Sequence, residues 1–151
     1  MISISVQSED FDTGAEYTRL QSGNTETGGI ALFSGQVRDN PQQPLAYMRL
    51  EHYPGMTEAS LQQTAEQAAN RWPTLKIRII HRIGDLKPGE QIVLVGVSSA
   101  HRDAAFAACE YIMDILKTSA PFWKKEQYLN GDASWVAAKQ SDDKRADRWQ
   151  P

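Results

Sequence analysis

The stretch that decides the fold is QIVLVGVSSAHRDAAFAACEYIMDILKTSAPFWKKE, residues 91–126. It opens with the apolar run 91–98, which is typical of a central strand buried on both faces. From His101 onward apolar side chains recur every three or four residues, which predicts a long amphipathic helix that Pro121 ends. Its predicted apolar positions are Phe106, Cys109, Ile112, Met113 and Leu116.

Outward from this unit, strands and helices alternate along the chain. Alternating apolar residues predict strands near 2–6, 30–37, 46–53 and 75–79, and we expect 30–37 and 46–53 to pair in antiparallel fashion. Thr57 is positioned to cap a helix that starts at Glu58 and ends before Pro73. Residues 21–29 predict a mobile loop and 140–151 a charged tail. The pattern indicates one α+β domain over residues 1–151, with helices covering a mostly antiparallel or mixed sheet.

Composition narrows the class of protein. The 151 residues are 40% hydrophobic and 23% charged, as in an ordinary globular domain. A formal net charge of −3 argues against broad nucleic-acid binding, and no apolar run approaches the roughly 20 residues of a membrane helix, so we expect a cytoplasmic protein. One cysteine and three scattered histidines show no metal-binding spacing, and we expect no metal.

His101 and Arg102 form the first candidate site, because they follow a buried strand and open a helix. Unpaired N–H groups and the helix dipole favour a negative ligand at such a position. Arginine adds paired donors for phosphate, and histidine can move a proton near neutral pH. The alternative is that both are solvated residues of the first turn.

Lys117, Lys124 and Lys125 cluster around the proline break that follows the same helix. The helix dipole explains Lys117 and surface exposure explains the other two, so spacing alone does not require a function. The neighbouring Phe122 and Trp123 favour a lysine fixed in a partly apolar pocket, where its charge can stabilise an oxyanion. Arg38 at a strand end is similarly ambiguous, whereas Cys109 is predicted to be core packing.

Four segments carry a resemblance to a known family. They are 33–38 (FSGQVR), 50–58 (LEHYPGMTE), 81–84 (HRIG) with 88–90 (PGE), and 99–102 (SAHR) leading through Met113 to 116–126 (LKTSAPFWKKE). In order and approximate spacing, from about Gly28 through Trp135, the chain resembles the large, catalytic subunit of molybdopterin synthase.

The resemblance implies an α/β hammerhead fold and a central homodimer with a small ubiquitin-like sulfur-carrier protein at each end, a heterotetramer. The carrier's C-terminal Gly-Gly, as a thiocarboxylate, would enter the pocket and give sulfur to cyclic pyranopterin monophosphate. Two such transfers make the dithiolene of molybdopterin. This sulfurtransferase activity requires no cofactor on this subunit.

The resemblance also assigns roles to particular side chains. Lys117 and Lys124 would be the principal catalytic lysines, while Arg38, His101 and Arg102 would bind the phosphate and pterin. His101 could in addition shuttle a proton. Lys139 stands where some family members have arginine; it would bind substrate but lacks the bidentate fork. Family sites draw residues from both copies of the dimer, so Arg38 could serve the neighbour.

Two other classes of function remain open on the residues alone. One is a binding module that docks an acidic protein or an RNA through these basic residues. The other is an interaction scaffold whose Trp and Met residues form an oligomer interface. Replacing Lys117 by alanine separates the three: an enzyme would lose product formation with its fold and dimer intact, a binding module would only bind more weakly, and a scaffold would change little.

Overall fold

The structure is a computed structural model that describes residues 1–136 and 140–150. Within these residues it is an α+β domain with two four-stranded sheets and four helices. In chain order the elements are β1 (Ile2–Gln7), α1 (Thr13–Gln21), β2 (Gly29–Gln36), β3 (Leu45–His52), α2 (Met56–Arg71), β4 (Lys76–Arg82), β5 (Gly84–Leu86), β6 (Gln91–Ser99), α3 (Arg102–Thr118), β7 (Phe122–Tyr128), β8 (Ala133–Val136) and α4 (Gln140–Asp147).

The first sheet has the strand order β1-β4-β6-β2 and holds the main core. β1 and β4 run parallel, and the other two pairs are antiparallel. β6 lies between two neighbours, and its residues 93–99 are all buried, which confirms the central strand predicted from its continuous apolar run. The mixed sheet predicted from the sequence is confirmed in this half of the fold.

The second sheet is antiparallel throughout, in the order β5-β3-β7-β8. The predicted pairing of residues 30–37 with 46–53 is wrong, because β2 pairs with β6 and β3 pairs with β5 and β7. The connector between them is too long and proline-rich for a tight hairpin turn, so no local geometry holds the two strands in register. Instead the Asp39 carboxylate accepts the Leu45 N–H at 2.9 Å and starts β3 separately.

Helices α2 and α3 cover the first sheet. α2 meets it through Leu61, Ala65 and Ala68, which are fully buried, and this thin alanine-rich stripe was predicted from the sequence. α3 packs beside α2, and Leu116 and Cys109 join the same core. Trp72 sits at the rim in edge-to-face contact with Tyr111, 5.4 Å between ring centroids.

Several element boundaries differ from the expectations. α2 begins at Met56 and not at Glu58, because Gly55 takes the N-cap position with a φ of 84° and the Glu58 carboxylate accepts its N–H. Thr57 is therefore inside the helix and not its cap. The segment from Phe122 is strand β7, and part of the expected loop before Ser134 turns back as β8.

The charged segment at the C-terminus includes helix α4, held to α3 through its flanking residues. Asp114 accepts hydrogen bonds from Trp149 Nε1 at 2.7 Å and from Arg148 at 2.8 Å. Lys139, expected to bind substrate, lies outside the described residues. In the parts of the chain that the structure describes, no helix is both long and apolar enough to cross a membrane.

Candidate functional site

Lys117 and Lys124 lie on two elements that one short connector joins. Lys117 is exposed in the last turn of α3, and Lys124 is half-buried on β7. In β7, Lys124 lies opposite the buried Leu50 of β3, so its side chain starts from the inner face of the second sheet. Lys125 points to the opposite face, where its amine lies 5.9 Å from the ring centroid of Trp135.

A buried histidine lies near enough to both lysines to be affected by their charges. The His81 ring stacks on Phe122 with 3.7 Å between centroids and 18° between planes, and its Nδ1 lies 2.8 Å from the Arg82 carbonyl oxygen. Since a carbonyl only accepts, Nδ1 carries the proton. Burial, with smaller contributions from the positive charges of Lys124 and Lys117, lowers the pKa of His81 from 6.5 to about 3. Both lysine charges thus act on one neutral imidazole. We call the region that contains Lys117, Lys124 and His81 the lysine end.

Arg38 lies at the same end of the first sheet. It follows β2 directly and is exposed, and the N–H of its neighbour Val37 donates to the Glu90 carbonyl at 2.9 Å. The β2–β6 register closes with Gln36 opposite Gln91, where β6 begins. Because α3 runs back across β2 and β6 after β6 ends, its C-terminus lies toward this end too. The topology therefore brings Arg38 and the lysines to one end of the domain.

His101 and Arg102 are at the opposite end. His101 is the N-cap residue of α3 without a capping hydrogen bond from its side chain, and both residues are exposed. Fifteen residues of helix separate Arg102 from Lys117, about 22 Å at 1.5 Å per residue. The structure of a single chain therefore does not bring the predicted phosphate ligands together with the predicted catalytic lysines.

The backbone around His101 is tightly packed against the start of β2. The Gly28 N–H donates to the Ser99 carbonyl at 2.9 Å, and a Cβ on Gly28 would lie 2.0 Å from the Ala100 carbonyl oxygen. A Cβ on Gly29 would lie 3.3 Å from the Arg102 Cα, a tight but less severe approach. Glycine is needed here for close approach, which fixes the position of the His101–Arg102 pair relative to the sheet.

A groove of about 700 Å³ lies between β2 and α3 and reaches Lys117. Apolar side chains line much of it, and Phe33 and Phe106 at its border are 44% and 64% exposed. The sequence predicted Phe106 on the core face of the helix, and this was wrong, because the open edge strand β2 leaves that turn uncovered. Sequence reasoning missed the groove. The only signal for it was the apolar character of residues 30–33 beside the helix.

Cys109 borders the groove, but its thiol is unreactive. Its side chain is buried, and its Sγ donates to the Val95 carbonyl at 3.6 Å. Burial raises the pKa of the Cys109 thiol to about 11, so it stays protonated near neutral pH. The predicted core position is confirmed. Among the described residues no group of three or more His, Cys, Asp or Glu side chains could hold a metal ion.

The chain matches known proteins over nearly its whole length. Residues 6–119 match the family model described as MoaE protein. The molybdopterin synthase catalytic subunit of Vibrio cholerae is 54% identical over 149 residues, covering 97% of both chains.

Solved structures agree with the sequence matches. The molybdopterin biosynthesis MoaE protein from Burkholderia ambifaria is 48% identical, with a TM-score of 0.84 over 99% of this chain and 98% of that one. Molybdopterin synthase from Staphylococcus aureus is 33% identical, with a TM-score of 0.79 over 87% and 95%. By the family model, the sequence identity and the shared fold, the chain belongs to the MoaE protein family.

Proposed function

We propose that this chain is the catalytic subunit of a molybdopterin synthase, which transfers sulfur from the C-terminal thiocarboxylate of a small carrier protein to cyclic pyranopterin monophosphate. The observation that carries this proposal is the lysine end, where Lys117 lines an open groove and the charges of Lys117 and Lys124 both act on the buried, neutral His81. The high identity to named catalytic subunits supports it.

The groove is suited to an extended peptide tail. It is walled by the edge strand β2 and by α3, and it is open to solvent along Phe33 and Phe106. A carrier tail ending in Gly-Gly has no side chains at its tip, so it can reach the end of a narrow groove beside Lys117. Lys117 and Lys124 would then face the carbonyl group that holds the sulfur.

The lysines would act on charge that develops during transfer. The thiocarboxylate sulfur would bond to a side-chain carbon of the substrate while a carbon–oxygen bond at that carbon breaks, the oxygen leaving with the phosphate or as water. This step gives a neutral thioester, which water then hydrolyses, so the carrier leaves with a carboxylate and the sulfur stays on the substrate. Attack of water places negative charge on the carbonyl oxygen, which positively charged groups fixed beforehand stabilise. A second transfer completes the dithiolene. The buried thiol of Cys109 is not needed as a sulfur relay.

The phosphate ligands His101 and Arg102 would come from a second copy of the chain. Arg38 lies at the lysine end, while His101 and Arg102 are about 22 Å away along α3. A homodimer that places the His101–Arg102 pair of one protomer against the lysine end of its partner would complete the site. Arginine would bind the phosphate, and His101 could transfer a proton as the cyclic phosphate opens. Lys139 would add charge to this site.

The test uses the chain with a thiocarboxylated carrier and the cyclic pterin, following the dithiolene product. Lys117→Ala and Lys124→Ala are expected to slow product formation by on the order of 100-fold while fold and dimer persist. Lys125→Ala is the matched control, because Lys125 points to the opposite face of β7. A wild-type chain that gives no product with an active carrier would refute the proposed function.

A further inference from the structure

The connector 119–121 joins the end of α3, which carries Lys117, to the start of β7, which carries Lys124. The Ser119 N–H donates back to the Ile115 carbonyl at 2.8 Å, and the Phe122 N–H donates to the Ala120 carbonyl at 2.8 Å. Contacts from other elements to this short connector would therefore affect where the two lysines lie.

One such contact comes from Thr57 in the first turn of α2. Thr57 is fully buried, and its hydroxyl donates to the Pro121 carbonyl at 3.0 Å. The Thr57 hydroxyl oxygen also accepts the Tyr53 N–H at 2.9 Å, so the hydroxyl both donates and accepts a hydrogen bond. Proline has no N–H, which leaves that carbonyl as the only backbone group through which the connector can be held at this residue.

His81 holds the next residue from the other side. Its ring stacks on Phe122 at 3.7 Å, and its Nδ1–H is bound to the Arg82 carbonyl, so the ring cannot rotate freely. Pro121 and Phe122 are thus fixed by two elements, α2 and β4, that are distant in sequence. At the start of α2 the Glu58 carboxylate also accepts the Gly55 N–H at 3.2 Å, a contact that does not involve the Thr57 hydroxyl.

We propose that Thr57 is a positioning residue for sulfur transfer: by holding the Pro121 carbonyl, its hydroxyl fixes the separation of Lys117 from Lys124. This inference rests on the proposed function. The Thr57 hydroxyl is bonded to Tyr53 and Pro121, and it would act on the lysines through the connector. If the Thr57 hydroxyl had no such role, its removal should affect catalysis as little as removal of the Thr64 hydroxyl. Thr64 is also buried in α2, but its hydroxyl donates to Ser60 in its own helix at 2.9 Å.

The experiment compares Thr57→Val, Thr57→Ser and the matched control Thr64→Val in the assembled enzyme. Valine keeps the shape of threonine but removes the hydroxyl. We expect Thr57→Val to lower kcat by on the order of 10- to 100-fold with little change in KM for the carrier, because misplacement of a reacting group by about 1 Å costs up to that much. Thr57→Ser should restore kcat to within about threefold of wild type, and Thr64→Val should leave it unchanged.

Each other outcome overturns the inference. A folded Thr57→Val enzyme with wild-type kcat shows that the hydroxyl does not matter. Equal loss in the valine and serine variants, or in Thr64→Val, points to general packing. If Thr57→Val does not fold, Thr57→Ala takes its place, and equal kcat for the alanine and serine variants is then the contradicting result. An inactive wild-type chain with an active carrier refutes the proposed function itself, and the inference with it.

Discussion

The buried His81 predicts a specific loss of stability in acid. The pKa of this imidazole falls from 6.5 to about 3 in the folded chain, because burial and the charges of Lys124, Lys117 and His52 disfavour its protonated form. Below pH 6.5 the His81 imidazole therefore binds a proton in the unfolded chain but stays neutral in the folded chain. His81 therefore does not change the free energy of unfolding well above pH 6.5, and it lowers that free energy as the pH falls from 6.5 toward 3.

The expected size follows from proton linkage. Between pH 7 and pH 5 this one group removes about 2 kcal/mol from the free energy of unfolding. His81→Gln keeps an N–H for the Arg82 carbonyl but cannot take up the proton. The variant loses the stacking on Phe122 at both pH values, so this constant cost cancels when the two values are subtracted.

The assay is urea unfolding of wild type and His81→Gln at both pH values, followed by tryptophan fluorescence at one protein concentration. The fall in unfolding free energy from pH 7 to pH 5 should be about 2 kcal/mol smaller in the variant. Carboxylates that titrate in this range are common to both proteins and do not affect the difference. An equal fall in both would refute the reasoning that His81 stays neutral near the two lysines.

Three further variants test other parts of the structure. Cys109→Ser should retain sulfur transfer, since its buried thiol is protonated; loss of transfer in a folded protein would contradict this. Asp114→Asn should cost about 1–3 kcal/mol of unfolding free energy and reduce hydrogen-exchange protection of α4, because the carboxylate holds Trp149; unchanged protection would count against this anchor. Gly28→Ala should lower the free energy of unfolding by about 1–3 kcal/mol, because its methyl group would overlap the Ala100 carbonyl, and the urea midpoint should fall accordingly. An unchanged midpoint would show that the backbone can shift at this position.

Local patterns predicted the elements that hold the core. The apolar run of β6 and the helix predicted from the three-and-four spacing of α3 are present, and Cys109 is buried as expected. These features follow from residues close in sequence, so one segment contains the whole signal. The family resemblance then supplied what local patterns could not, namely the roles of the candidate site residues.

Non-local pairing and exposure could not be predicted in this way. β7 was not recognised as a strand, because charged and amide side chains fill its middle and it is held as a strand by pairing with β3 and β8. Amphipathic spacing placed Phe106 on the apolar face of α3, but whether a neighbour covers that face depends on the edge position of β2. The separation of His101 from Lys117 depends on the direction of α3 across the sheet, which spacing alone does not give.

The most direct test of the central claim is subunit complementation between Lys117→Ala and His101→Ala chains. Each variant alone should be nearly inactive. If one protomer supplies the lysines and its partner supplies His101, half of the randomly mixed dimers contain one intact site, and the mixture should recover about one quarter of wild-type product formation. No recovery in a mixture that is shown to contain mixed dimers would contradict a site shared between two copies of this chain.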